Sequence, residues 1–547
     1  MSYKKFIAEN PFPAETESAT KGVNLGGTSG TYGACSIEDF LPRTSDLNLT
    51  HDDAEGFLDY VTRFTPANFW YKDRNVAVWL YEETYDNWQD RYGMDAVKVF
   101  YHSGHGNMFP DGIFAAPMGS IWDNRATAWS DNMAFANEKL RYLFWSTCLG
   151  LRISEGHNPI RTWSRANKGG LRMIFGYDTV SYDNKNYGKF FWNEWNKGRS
   201  FKDAFIEASW RISHRQSPVV CAMGANQAEA KARLANERFF YTPGVCSNYW
   251  AWEWRNAVKK AKRESANLLK EPRNKNALIL APDMLDDTLF SAIGNKAGLT
   301  KRTASTIKID DMGTRIIGTK DLRVSVNRAG HVSLDMAKAN YRNTELIGEN
   351  KALKLAEGFI SELGLAKGIK LEQATTYHTM QGGGNAKTEE LYDPKVIETI
   401  IQFRQEHDNL KSVNSGHGLI SVAVDNDGKI TRVFSSLKPI VDEREQASAP
   451  RKGKSAPAKE FTRSRDELFQ QQIDRIIGGK DYSTVNFDER TKTLLTRETA
   501  DITPTVKIID EKIGYDFSSN IVKPVHQRDV EIAVGPYAKR YKLRVDL

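Results

Sequence analysis

Cysteine is scarce in this chain: 547 residues hold four, at positions 35, 148, 221 and 246. That number, with no CxxC spacing, excludes a disulfide scaffold. A Cys221–Cys246 bridge would require export, and the expectation is that most of the thiols are reduced and buried. Long apolar runs are missing, so no membrane span is expected. A bias in charge is missing too: 76 Lys and Arg against 69 Asp and Glu leave +7 over a long chain. With no recognisable RNA- or DNA-binding module, that excess does not point to nucleic acid. The glycines at 26, 27 and 30 match neither a P-loop nor a dinucleotide fingerprint. The start, MSYKKFIAENPFPAE, has charge but no apolar h-region, so the expected compartment is the cytoplasm, or the exterior if a leader precedes this sequence. Tryptophan is absent after position 254, although thirteen occur between 70 and 254.

That shift in composition, and a length too great for one core, predict several domains. An N-terminal extension is read over 1–50 and an α/β domain over 51–258, with the boundary in the charged stretch after it. An α+β accessory region is read over 276–442. The segment EREQASAPRKGKSAPAKE, residues 443–460, reads as a flexible linker. Residues 461–547 read as a further α+β segment.

In the first half, the runs at 76–81 (VAVWLY), 97–101 (VKVFY), 142–145 (YLFW) and 171–175 (LRMIF) read as buried strands. Separated by helical or irregular chain, they predict a mostly parallel sheet covered on both faces. A helix is predicted over 200–212, with Ser200 and Asp203 as a capping pair. In the second half, VSVNRAGHVSLD and VAVDNDGKITRV read as two β-hairpins and a weak internal duplication, with a helix over 352–363 between them.

Two segments carry chemistry. VKVFYHSGHGN, residues 97–107, ends a strand on His105-Gly106, and RYLFWSTCLGL, residues 141–151, ends a strand on Cys148. Functional groups of a parallel sheet gather beyond the carboxyl ends of its strands. A thiol beside an imidazole can be deprotonated for attack on a carbonyl. The HSGH motif could offer His102 and His105 to a metal with Cys148, but no HExxH helix or second cysteine supports this, and no metal or cofactor is expected.

The pattern of a hydrophobic block, His-Gly, a spacer, and a second block ending in a small residue and Cys resembles the caspase-like cysteine peptidases. The segment at 168–209, KGGLRMIFGYDTVSYDNKNYGKFFWNEWNKGRSFKDAFIEAS, is similar to the strand, loop and helix pair after the cysteine in bacterial members. Thr147 departs from the Ala, Gly or Ser usual there. The resemblance, over about 50–245, implies a cysteine endopeptidase with a His105/Cys148 dyad and backbone N–H groups of Gly106 and Cys148 as the oxyanion hole. It also implies a protein or peptide substrate. Asp178 and Asp183, after the fourth strand, would favour cleavage after Lys or Arg. The rival reading is a caspase-fold protein that binds a partner in the same crevice without cutting. Residues 397–436, with Gln402, Gln405 and the turn at 425–428, weakly resemble the prosegment of thermolysin-like metallopeptidases. The C-terminal region is therefore expected to be able to cover the His105–Cys148 crevice and restrain it.

Overall fold

The computed structural model describes residues 2–5, 8–13, 30–41, 44–256, 276–281, 293–295, 299, 306–310, 313–319, 322–444, 464–480, 482, 490–491, 493 and 503–547. Its first half is organised by five parallel strands in the order Phe69–Lys72, Tyr32–Ser36, Val99–Ser103, Tyr142–Ser146 and Met173–Tyr177. Pro218–Gly224 and then Tyr249–Arg255 come next in antiparallel register. The sheet thus begins well before residue 51: Tyr32–Ser36 is an inner strand, and the expected extension over 1–50 supplies it.

The strands Val99–Ser103, Tyr142–Ser146 and Met173–Tyr177 read as apolar runs because both of their faces are buried. Tyr101, Phe144 and Phe175 point to a core closed by the helices Thr50–Val61, Tyr187–Asn196 and Phe201–Ile212. Phe144 and Phe175 stack there with ring centroids 4.0 Å apart. Phe100, Leu143, Trp145 and Ile174 point the other way. That second face is closed by the 76–81 segment, by Trp163, and by residues far along the chain: Phe469 and Ile473 of the helix Arg465–Ile477, and Val530, Ile532, Tyr541 and Leu543. Residues 76–81 are buried as expected but are not a strand; Val78–Leu80 is a 3₁₀ turn. Apolarity reported burial, and burial alone does not choose between helix and strand.

The helix at Phe201–Ile212 is capped as expected, Ser200 accepting a hydrogen bond from the Asp203 amide at 3.2 Å. All four cysteines are free, and Cys246 alone is exposed.

The accessory region continues the same sheet. Leu371–Asn385 pairs antiparallel with Tyr249–Arg255. Glu390–His407, Leu419–Asp425, Ile430–Ser435, Val332–Asp335, Arg323–Val326, Arg315–Gly318 and Thr306–Ile309 extend it in order, each antiparallel to the last. The helix Glu349–Leu363 covers them through Ala352, Ala356 and Ile360. The two hairpins lie side by side and repeat one turn in atomic detail. In one, Asn327 Oδ1 accepts from the His331 amide at 2.9 Å; in the other, Asp425 Oδ1 accepts from the Lys429 amide at 2.9 Å. Gly330 and Gly428 sit in these turns at φ +75° and +84°, where a side chain would be strained. The two hairpins thus share their turn as well as their antiparallel pairing.

Buried charge fastens the halves together. Glu194 binds Lys197, Arg199 and Arg211, and Arg199 also reaches Asp335 of the accessory sheet at 2.9 Å. Burial opposes its ionisation, but these three cations hold the Glu194 carboxyl at about 2. The charged stretch at 259–275 expected to carry the boundary, and most of the expected linker, lie outside the described residues. The linker's first two residues do not: Ile440–Arg444 is a strand paired with Ala277–Leu280. The final segment is α+β as expected, with the helix Arg465–Ile477 and the antiparallel strands Thr505–Tyr515, Pro524–Val534 and Tyr537–Asp546.

Candidate functional site

The His and Cys strands are parallel neighbours, with Ser103 opposite Ser146. The chain leaves each strand at that level, so His105 and Cys148 emerge on adjacent loops at the carboxyl edge. Asp53, on the helix Thr50–Val61, clamps both exits. Its Oδ2 accepts from the Ser103 and Ser146 hydroxyls, each at 2.7 Å, and its Oδ1 accepts from Tyr101 Oη at 2.8 Å and the Gly188 amide at 2.9 Å. The loops then touch. A Cβ on Gly106 would lie 2.8 Å from the Cys148 carbonyl oxygen and 2.7 Å from the Phe114 ring. Glycine at 106 is thus required by the contact between the loops, before any substrate is considered. Leu149 takes φ +59°, a left-handed conformation that costs a non-glycine residue about 1 kcal/mol or more. This turn lets the chain reverse directly after the cysteine.

The His105 ring is buried, edge-on to Phe40, and its Nε2–H donates to the Ser45 carbonyl at 3.0 Å. A carbonyl only accepts, so this contact fixes the proton on Nε2 and leaves Nδ1 as the basic atom. Burial, and then the charge of Lys539, hold the imidazole down at about 3, against the pull of the Ser45 and Ala538 carbonyls. His102 is equally buried but faces elsewhere, with Nδ1 2.7 Å from Tyr81 Oη and its ring edge-on to Trp145. It too is held at about 3, by burial first and Lys539 second. His102 supports the strand end. Among the described residues no three His, Cys, Asp or Glu side chains are grouped to hold a metal ion. Thr147 is fully buried, and its hydroxyl has no hydrogen-bond partner among the described residues.

A strand from the far end of the chain fills the crevice. Cys148 Sγ donates to the carbonyl of Ala538 at 3.1 Å, across 390 residues of sequence. Arg540 and residues 181–183 form one isolated parallel bridge: the Arg540 amide donates to the Ser181 carbonyl at 3.1 Å, and the Asp183 amide to the Arg540 carbonyl at 2.9 Å. Between them the Lys539 side chain is buried, with Nζ donating to the Gly104 carbonyl at 3.2 Å and to Ser181 Oγ at 3.3 Å. The two candidate specificity carboxylates part company here. Asp178 Oδ1 is taken up by the 153–154 loop, accepting from the Ile153 and Ser154 amides at 2.8 Å and from Ser154 Oγ at 2.9 Å. Asp183 lies within the field of Lys539. Burial raises its carboxyl to about 6, and Lys539 opposes that rise. Its Oδ2 accepts from the Asn48 amide at 3.1 Å, and its Oδ1 has no hydrogen-bond partner among the described residues. Sequence patterns do not single out Ser45, Asp53, Ser181 or Lys539. Each is a common polar residue whose role exists only once distant segments meet.

The buried histidines make an acid-sensitive fold. His102 and His105 stay neutral in the folded chain down to about 3, whereas in the unfolded chain each takes up a proton near the ordinary 6.5. Between these values the unfolded state binds more protons, so stability falls as pH falls, by up to about 1.4 kcal/mol per pH unit for each ring. Melting temperatures measured from pH 7 to pH 4 should decline steeply, and His102→Gln should flatten the decline. An acid slope unchanged in that variant would show that His102 does not titrate this way.

A model for a domain of unknown function, DUF6345, matches residues 34–255. The match begins inside the strand Tyr32–Ser36 and ends with the strand Tyr249–Arg255, so it spans the parallel sheet, both loops and Asp183. No curated protein matches the chain. Among the described residues no helix is long and apolar enough to cross a membrane.

Proposed function

We propose that the chain is a cysteine endopeptidase of caspase-like type. The observation that carries the reading is the Ala538 carbonyl, which receives the Cys148 thiol at 3.1 Å and also lies against His105. A peptide carbonyl at that point is where a nucleophile and its base must both reach. The parallel core, with His105 and Cys148 after adjacent strands, supports the reading. His105 Nδ1 would take the Cys148 proton, and Sγ would attack the carbonyl carbon. The same imidazole, held by Ser45, would protonate the leaving amine. Water would then hydrolyse the thioester. The backbone N–H groups of Gly106 and Cys148 are the candidates for stabilising the oxyanion.

Asp183, with an unused buried carboxylate oxygen, supports a preference for lysine or arginine beside the cleaved bond. Profiling on peptides that differ only at that position should show Asp183→Asn losing roughly ten- to a hundredfold of its preference for lysine over leucine, since a cation entering a dry pocket loses its counter-charge. Asp178→Asn should leave the preference intact. Equal cleavage after lysine and leucine in the unmodified protein would remove the basic specificity. The rival, a non-cutting binding protein, is favoured by one observation: His105 and Cys148 are both fully buried. Lack of reaction between Cys148 and a peptidyl thiol probe, in a chain whose crevice has been opened, would decide for it.

A further inference from the structure

The strand over the crevice has the properties of an occupant. It runs as an extended peptide along residues 181–183, it puts a carbonyl on the thiol, and it sends a lysine into a pocket made by the Gly104 carbonyl, Ser181 Oγ and the field of Asp183. Packing of Tyr541, Leu543 and Val545 would anchor the rest of that strand with no help from Lys539. A lysine has no packing reason to be only 2 % exposed, because burying an ammonium costs free energy unless it meets acceptors. Tyr182 Oη adds a bond at 2.9 Å to Asp529 on the neighbouring strand Pro524–Val534, so the hairpin is docked on this edge through two of its strands.

We propose that residues 537–540 are an intramolecular competitor for the site: the edge at 181–183 is a peptide-binding edge, the Lys539 pocket is its lysine subsite, and the C-terminal hairpin holds both until a substrate or partner displaces it. This rests on the peptidase reading for its substrate, but not for its occlusion. The register explains why the occupant is not consumed. The carbonyl on the sulfur belongs to Ala538, one residue before the lysine, and the thiol donates its hydrogen to that oxygen instead of presenting a nucleophile to the carbon. A substrate cleaved after its lysine would have to place the lysine carbonyl there. The basic residues of the hairpin are thus the model for what the edge accepts: an extended segment carrying a lysine.

Cysteine labelling of the full chain tests this with its own controls. Cys246 is exposed, and Cys35 and Cys221 are buried in the sheet. In Lys539→Glu, a carboxylate would meet the Gly104 carbonyl in place of a donor and would lie in the field of Asp183, and both disfavour docking. Iodoacetamide should then modify Cys148 at least about tenfold faster than in the unmodified protein, a shift of about 1.4 kcal/mol in the closed state. Cys246 should react equally in both, and Cys35 and Cys221 should stay protected. Unchanged Cys148 labelling with Cys35 and Cys221 still protected overturns the proposal. If the variant unfolds, those two thiols will react as well, and the unmodified protein decides: under the proposal Cys148 reacts faster than Cys35 and Cys221, because residues 537–540 lift locally while Tyr541 and Leu543 stay in the core those two thiols share. Reaction of all three at one rate overturns it. Fast Cys148 labelling in Lys539→Glu without cleavage of a lysine peptide upholds the occlusion and removes the peptidase reading instead.

Discussion

In a chain opened by Lys539→Glu, Cys148→Ala should abolish peptide hydrolysis, lowering it by at least about a thousandfold, because the proposed nucleophile is the thiol that meets the Ala538 carbonyl. His105→Ala should do the same, and the double variant should be hardly worse than either, since members of one catalytic unit do not add. Stability should separate the two. Cys148→Ala deletes one buried sulfur atom, a loss of about 1 kcal/mol. That predicts a melting temperature lowered by only a few degrees. His105→Ala removes a ring packed on Phe40 and bonded to Ser45, and should cost about 2 kcal/mol or more. Retained hydrolysis in Cys148→Ala, with the substrate peptide cut at the same bond, would end the assignment. The measurement belongs in the opened chain because Cys148 is wholly shielded otherwise.

What could be read in the sequence is what local pattern controls. Three of the four apolar runs are strands, at Val99–Ser103, Tyr142–Ser146 and Met173–Tyr177, because a strand buried on both faces must be apolar at every position. The hairpins were legible from their turns, where Asp425 and Asn327 act on amides within four residues. That His105 and Cys148 leave neighbouring strands was legible because each closes a run that could be recognised alone. What could not be read depends on distance. Lys539 is an ordinary basic residue in an alternating strand, and nothing near it says that its pocket is built from Gly104 and Ser181. Asp178 and Asp183 are equivalent in sequence, both polar residues after one strand. They diverge because the 153–154 loop folds over the first and the C-terminal strand over the second. The position of Tyr32–Ser36 was missed for another reason: YGACS is short and small-sided, and its place between two strands is set by their sequences as much as by its own.

Asp53 is the residue on which the site's geometry most depends, although its hydrogen bonds go to neither His105 nor Cys148. Asp53→Ala leaves the hydroxyls of Ser103, Ser146 and Tyr101 and the Gly188 amide without their shared acceptor in a buried place. Each such group costs about 1–3 kcal/mol, less when rotation finds another partner. The sum should reach roughly 3–5 kcal/mol, enough to unfold a marginal chain at body temperature. Asp53→Asn is the more informative change. It keeps the shape and one acceptor oxygen but turns an NH₂ toward two of the four donors. If Oδ2 is the atom replaced, Ser103 and Ser146 lose their common anchor and the two exits are free to separate. Misplacement of this kind acts on the reaction and not on binding. In the opened chain kcat should therefore fall about tenfold or more while KM stays within about twofold, and the loss should not be recovered at higher substrate. A merely structural aspartate would lower the melting temperature and leave kcat per folded molecule unchanged. That outcome, measured with the folded fraction counted by Cys148 labelling, would show that the parallel register alone holds His105 and Cys148 together.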